Sequence, residues 1–181
     1  MKRTLLSTVV VVALAMPSFA GQEASSPKEG EASVTSCAVC YKDQELQFSL
    51  FYSFSNHPTN GGFGGGIGFD YFFHRYVGIG LEGNWFPGGE KDAVITQAIG
   101  NVFLRYPLEL NGGRFSIAPY LLGGGGGLWD SKRSAVEGHI GAGLEWRFNE
   151  HWGIFADIRK AWTTYQGADI VEFRSGVRFV F

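Results

Sequence analysis

Charge is scarce in this sequence. Asp, Glu, Lys and Arg make up 18% of the chain, the formal net charge is -2, and no basic cluster stands out. Nucleic acid is thereby excluded as a partner, because phosphate backbones are held by clustered Lys and Arg. Cysteine is nearly absent, with 2 in 181 residues. Cys37-Ala-Val-Cys40 is followed by Tyr41 where a haem anchor needs His, and no βαβ setting surrounds it. The pair reads as a local disulfide in an oxidising compartment. Apolar runs of helical length are missing beyond Leu5–Met16, which is too short to span a bilayer. No amphipathic helix follows anywhere. What the chain has instead is 27 glycines and 15% aromatic residues, too rich in rings for a disordered protein.

The first residues are targeting sequence. Lys2 and Arg3 precede the apolar run, and Ser18-Phe19-Ala20 fits a small-x-small cleavage site, so 1–20 reads as a signal peptide. Without those two bases, 13 basic residues face 17 acidic ones, a net of -4. Residues 21–45 are polar and aperiodic and read as a disordered leader that carries Cys37 and Cys40.

From Leu46 to Phe181 the apolar period is two. It predicts strands at about 46–55, 61–73, 76–86, 94–108, 114–129, 134–148, 151–163 and 170–181, joined by short connections. The fold class is all-β: an eight-stranded antiparallel up-and-down barrel without edges. Three features turn its apolar face outward to lipid. Bulky rings lie on that face toward the strand ends: Tyr71, Trp85, Tyr106, Trp129, Trp146, Trp152, Trp162 and Phe181. The other face holds glycines at 62, 64, 66, 68, 78, 80, 141 and 143, as a narrow lumen requires. That face also carries Asp70, Glu82, Glu137, Glu145, Asp157 and Glu172 with Arg105, Arg147, Arg159, Arg174 and Arg178. Six acids and five bases can neutralise one another in a confined core, where an unpaired charge is expensive. Pairing Thr163 with Ile170 sets Asp157 diagonal to Arg174 and Arg178, in a network shared with Glu145.

The run Leu121-Leu-Gly-Gly-Gly-Gly-Gly-Leu-Trp-Asp130 is read as part of the fifth strand. Gly124 and Gly126 face the lumen; Gly123, Gly125 and Gly127 face lipid, for which the sequence offers no reason. A Walker loop needs a following Gly-Lys-Ser/Thr, which is absent, and Gly78-Ile-Gly80-Leu-Glu-Gly83 is followed by no helix. No cofactor or metal set is read. His139, Glu137 and Glu145 share a face, but carboxylates there are expected to pair with arginine.

The C-terminus, Phe173-Arg-Ser-Gly-Val177-Arg-Phe179-Val-Phe181, alternates apolar residues to a terminal Phe. It resembles the signal by which outer-membrane proteins are recognised for assembly, carried by Phe173, Val177, Phe179 and Phe181. With the signal peptide and hairpin strands, the chain resembles the small eight-stranded outer-membrane β-barrel family, in the architecture of the OmpA transmembrane domain and the OmpX-type barrels. That resemblance implies a bacterial outer membrane, with both termini periplasmic. It also implies contact with outer-membrane lipids, lipopolysaccharide and the assembly machinery, and a monomer. The expected function is non-enzymatic: envelope integrity or small-ligand binding. The alternatives are a lipid-modifying enzyme acting on acyl chains and a narrow pore. Catalysis is disfavoured because only His139 lies on a strand, and no catalytic residue is assigned.

Overall fold

The computed structural model describes residues 41–56, 62–87, 94–110, 115–130, 133–164 and 169–181. The expected signal peptide and Cys37 and Cys40 lie outside the described residues. Nine strands form one sheet: β1 (Glu45–Ser55), β2 (Gly62–His74), β3 (Val77–Pro87), β4 (Val94–Arg105), β5 (Leu108–Leu110), β6 (Phe115–Asp130), β7 (Arg133–Arg147), β8 (Trp152–Thr163) and β9 (Asp169–Val180). Each strand pairs antiparallel with its neighbour in the order β4-β3-β2-β1-β9-β8-β7-β6, and a β4–β6 ladder closes the circle. Closure leaves no open edge. Among the described residues there is no helix.

Most strand ends fall within one residue of those expected, and two differences have structural consequences. The single strand read at 94–108 is broken into β4 and β5. Both pair with β6 in one continuous register, Arg105 with Tyr120 and Leu108 with Ile117. Pro107 and Pro119, which donate no backbone hydrogen bond, flank the break, and Tyr106 N still donates to Pro119 O at 2.9 Å. β5 thus prolongs the fourth strand beyond the barrel wall, where its residues are exposed. At the start, β1 begins at Glu45, so the barrel takes in the last residues of the segment read as leader. Gln44 adopts a left-handed φ of 56°, and Lys42 N donates to Glu45 Oε2 at 3.3 Å. This turn folds Tyr41 back into the barrel mouth.

The wall is inverted relative to a water-soluble barrel. The largest fully buried side chains are Arg147, Arg159, Arg174 and Arg178. Leu50, Phe63, Leu81, Leu121, Val136 and Ile158 are more than half exposed. In β8, outward Trp152 and Trp162 stand ten residues apart. At about 3.3 Å per residue and a tilt near 40°, they bracket about 25 Å, the height of a bilayer's apolar band.

The glycine run marks where the β4 and β6 backbones coil closely. A Cβ at Gly124 would overlap the Gly100 carbonyl, and one at Gly126 would overlap that of Ala98. Outward Gly127 has its own reason: a Cβ there would lie 2.6 Å from the Trp129 ring. The indole lies where that side chain would be, covering backbone that would otherwise meet lipid. Gly126→Val is therefore expected to prevent formation of the compact, heat-modifiable form seen by gel migration after refolding in detergent. Gly62→Ala, where nothing lies within 4 Å, is expected to fold like the parent. Equal folding of both variants would remove the close approach as the reason for the run.

Candidate functional site

Alternation along the strands sends one residue in two inward, and the polar ones collect in the lumen. Near the end where β1 starts and β9 ends, Glu45 on β1 is the focus. Arg147 Nη1 donates to its Oε2 at 2.6 Å and Arg105 Nη2 to its Oε1 at 2.9 Å. Arg147 Nε also donates to Glu145 Oε1 at 2.7 Å, and Arg178 Nη1 donates to the other oxygen of that carboxylate. Tyr41 closes this mouth. Its ring faces the guanidinium of Arg147 at 3.8 Å and that of Arg105 at 4.6 Å. Burial pushes its phenol far above the usual range, and the Glu145 charge adds to the shift. The hydroxyl stays protonated and donates to Glu145 O at 3.4 Å.

Farther in, Asp157 accepts from Arg174 through Nε at 2.9 Å and Nη2 at 2.7 Å. It also accepts from Arg159 Nε at 3.2 Å and the Tyr120 hydroxyl at 2.9 Å. Arg159 places Nη1 and Nη2 at 2.8 and 2.9 Å from the two oxygens of Glu82 on β3. Arg174 Nη1 reaches the same carboxylate at 2.8 Å. Bidentate pairs of this kind are the strongest charge-assisted hydrogen bonds. Toward the far end an amide chain takes over. Asn84 donates to Glu172 at 2.8 Å and to Gln97 at 3.2 Å, Gln97 donates to Glu137 at 3.0 Å, and Ser53 donates to Asn84 at 3.1 Å. Between the charged layers sits an apolar cluster of Phe72, Phe103, Tyr120 and Leu122, whose rings face arginines: Arg105 over Phe72 at 3.6 Å and Arg178 over Tyr120 at 5.1 Å.

Every charged residue read from the sequence as lumenal is buried, but the details depart in three ways. β8 and β9 pair two residues away from the expected register: Trp162 faces Asp169, and Asp157 lies directly opposite Arg174, not Gly176. A shift of two keeps every side chain on its face, and direct opposition lets Arg174 grip Asp157 through two nitrogens. Arg178 goes to Glu145 instead, so Asp157 and Glu145 belong to separate clusters among the described bonds. The balance also changes. Glu45 joins Asp70, Glu82, Glu137, Glu145, Asp157 and Glu172, giving seven buried carboxylates against the five arginines 105, 147, 159, 174 and 178. Glu137 and Glu172 accept from amides, and Asp70 stands 3.9 Å from Arg178, beyond hydrogen-bond reach. Glu45, Tyr41, Gln47, Ser53, Asn84, Gln97 and Tyr120 are among the network members that the sequence reading missed. For Glu45 a signal existed: it continues the inward series Gln47, Ser49, Phe51 by one step.

His139 Nε2 pairs with Asn101 Oδ1 at 2.7 Å, and its Nδ1 lies 3.8 Å from Glu137. Among the described residues no group of three or more His, Cys, Asp or Glu is arranged to hold a metal ion. Phe173, Val177 and Phe179 lie on the outward side of β9 and Phe181 follows it. Phe179 meets the Trp152 and Phe181 rings at 4.9 Å each.

Comparisons with known proteins agree with this architecture. The family model for the outer membrane protein beta-barrel domain matches residues 6–181. No curated protein matches the chain. The N-terminal β-barrel domain of Pseudomonas aeruginosa OprF is similar in fold, with TM-score 0.63, 14% identity, and coverage of 77% of this chain and 98% of that one. Neisserial surface protein A gives TM-score 0.53 at 10% identity over 75% of this chain and 95% of its own. A de novo designed transmembrane β-barrel gives 0.52 at 14% identity over 77% and 98%.

Asp157→Ala leaves Arg174 and Arg159 to share the Glu82 carboxylate alone and is expected to cost about 3–5 kcal/mol in urea unfolding from detergent or bilayers. Glu150→Ala, in an exposed turn, is expected to change stability by less than about 0.5 kcal/mol. Equal and small losses would mean that the Asp157 cluster contributes nothing to the folded barrel.

Proposed function

We propose, from the premise that the chain belongs to the outer membrane protein β-barrel domain family, that it is a non-enzymatic envelope component: a closed, rigid barrel without a conducting path. The observation that carries this reading is cross-lumen bonding between strands that are not neighbours. Glu45 of β1 binds arginines of β4 and β7, and Glu82 of β3 binds arginines of β8 and β9. Asn84 of β3 reaches Glu172 of β9, and Gln97 of β4 reaches Glu137 of β7. An eight-stranded lumen is just wide enough to be filled by its own side chains, and these links occupy it at successive depths. Rigidity of this kind suits a barrel that supports the membrane.

The non-enzymatic part is supported by the surroundings of His139. Its Nε2 meets an amide oxygen and its Nδ1 faces a carboxylate beyond hydrogen-bond reach at 3.8 Å, and neither group is the hydroxyl or thiol nucleophile that an acyl transfer needs. The connections support one orientation. β1 starts and β9 ends at one mouth, where β2–β3 and β7–β8 are joined by short turns at residues 75–76 and 148–151. Short turns mark the periplasmic side of such barrels, so both termini face the periplasm. In that orientation the outward rings of β9, ending in Phe181, are available to the assembly machinery before insertion.

In planar bilayers the refolded full-length barrel is expected to give no steady ohmic step. A stable, reproducible step in single-protein recordings would reverse the reading and make the protein a pore.

A further inference from the structure

Residues 41–44 form a short strap across the mouth where β1 starts and β9 ends. Asp43 Oδ1 accepts from Arg75 N in the β2–β3 turn at 2.7 Å. The Tyr41 ring covers Arg105 of β4 and Arg147 of β7, and its hydroxyl donates to Glu145 O of β7. Tyr41 is buried although it precedes the first strand. The Asp43 anchor is exposed, where water competes for its hydrogen bond. The buried ring therefore holds the strap down.

Under the ring lie polar atoms that meet no hydrogen-bond partner among the described residues: Gln47 Oε1, Asp70 Oδ1, Arg105 Nη1, Ser116 Oγ and Arg178 Nε. All five side chains are buried. Gln47 and Arg105 bond Glu45, Arg178 bonds Glu145, Ser116 pairs in register with Arg147, and Asp70 with Gln47. They are one neighbourhood beneath Tyr41. Its charges balance, with Glu45, Glu145 and Asp70 beside Arg105, Arg147 and Arg178, so no bound ion is called for. Buried polar atoms without a protein partner are served by water. Farther in, Arg159 and Arg174 bind both Asp157 and Glu82, and this layer closes the lumen.

We infer that Tyr41 is the stopper of a hydrated vestibule, which takes water and other small polar molecules from this mouth as far as the Asp157–Glu82 layer. Gln44 makes the bend that seats the ring: its φ of 56° is left-handed, a strained conformation for a residue with a side chain. Docking of the ring on two guanidiniums offsets that strain. Withdrawal of the ring relaxes the bend and breaks no strand ladder, because β1 begins only at Glu45.

The test places a single thiol in the vestibule of the full-length barrel in nanodiscs: Ser116→Cys, with Cys37→Ser and Cys40→Ser removing the native pair. Its modification by methyl methanethiosulfonate, small and uncharged, is followed by intact mass. Adding Tyr41→Ala is expected to speed modification at least about tenfold, because two ring–guanidinium contacts no longer hold the mouth shut. Tyr41→Phe keeps the ring and is expected to react as slowly as the parent. Equal rates with and without Tyr41→Ala overturn the stopper. The control is Gln97→Cys in the same background, two residues beyond the Glu82 level in register. Its rate is expected to be unchanged by Tyr41→Ala; acceleration at both positions means that the whole barrel has loosened and also overturns the stopper. In planar bilayers Tyr41→Ala is expected to give no ohmic step. A step from this variant would carry the opening through the Asp157–Glu82 layer and overturn that layer as the vestibule's inner boundary.

Discussion

A guanidinium enclosed by a narrow β-wall has little water to turn to. It must find carboxylates within reach or carry a desolvation penalty of several kcal/mol. That constraint organises the lumen. Arg159 and Arg174 share Glu82 and Asp157, and Arg105 and Arg147 share Glu45. Glu82 and Glu45 tie together strands on different sides of the barrel, so their pairs act as struts as well as neutralising charge. Arginine suits this role better than lysine, because its planar fork serves two carboxylates at once. The apolar rings stacked against the guanidiniums fill the volume between the struts without asking for hydrogen bonds of their own.

The wall is shaped by the same need for tight packing. Large charged side chains inside leave no room for a Cβ on the opposing strand. Gly143 lies where a side chain would meet Tyr120 and Asp157, and Gly80 where it would meet Asp70 and Phe103. Glycine in a strand weakens it by offering nothing to pack. Here the missing side chain is replaced by a neighbour's carboxylate or ring. Outside, the Trp129 indole over Gly127 does the same against lipid.

Much of this was legible in the sequence. Period-two alternation gave the strands and their faces, because the choice of face survives an error of two residues in register. The inward arginines and acids could be named for the same reason. The β8–β9 register was not legible: the turn chemistry around residues 164–169 permits several pairings, and only the grip of Arg174 on Asp157 distinguishes them. The split at Pro107 was visible as a residue but not as a break, since the register continues across it. Tyr41 was hidden because its neighbours Lys42, Asp43 and Gln44 are polar and aperiodic. Its place depends on the left-handed turn at Gln44 and on arginines far away in the chain. Nor does a sequence disclose that Glu137 and Glu172 are served by amides, since that depends on which strands meet across the lumen.

The central claim is that the apolar face meets lipid and the charged face is enclosed. The most direct measurement is tryptophan fluorescence in bilayers made from lipids brominated at defined acyl positions. All five tryptophans, at 85, 129, 146, 152 and 162, are outward and 40 to 47% exposed. Strong quenching is predicted, greatest with bromines near the headgroup end of the chain and weaker with bromines near the midplane. Emission unaffected by brominated lipid would place the tryptophans away from the membrane and contradict the inside-out arrangement on which the account rests.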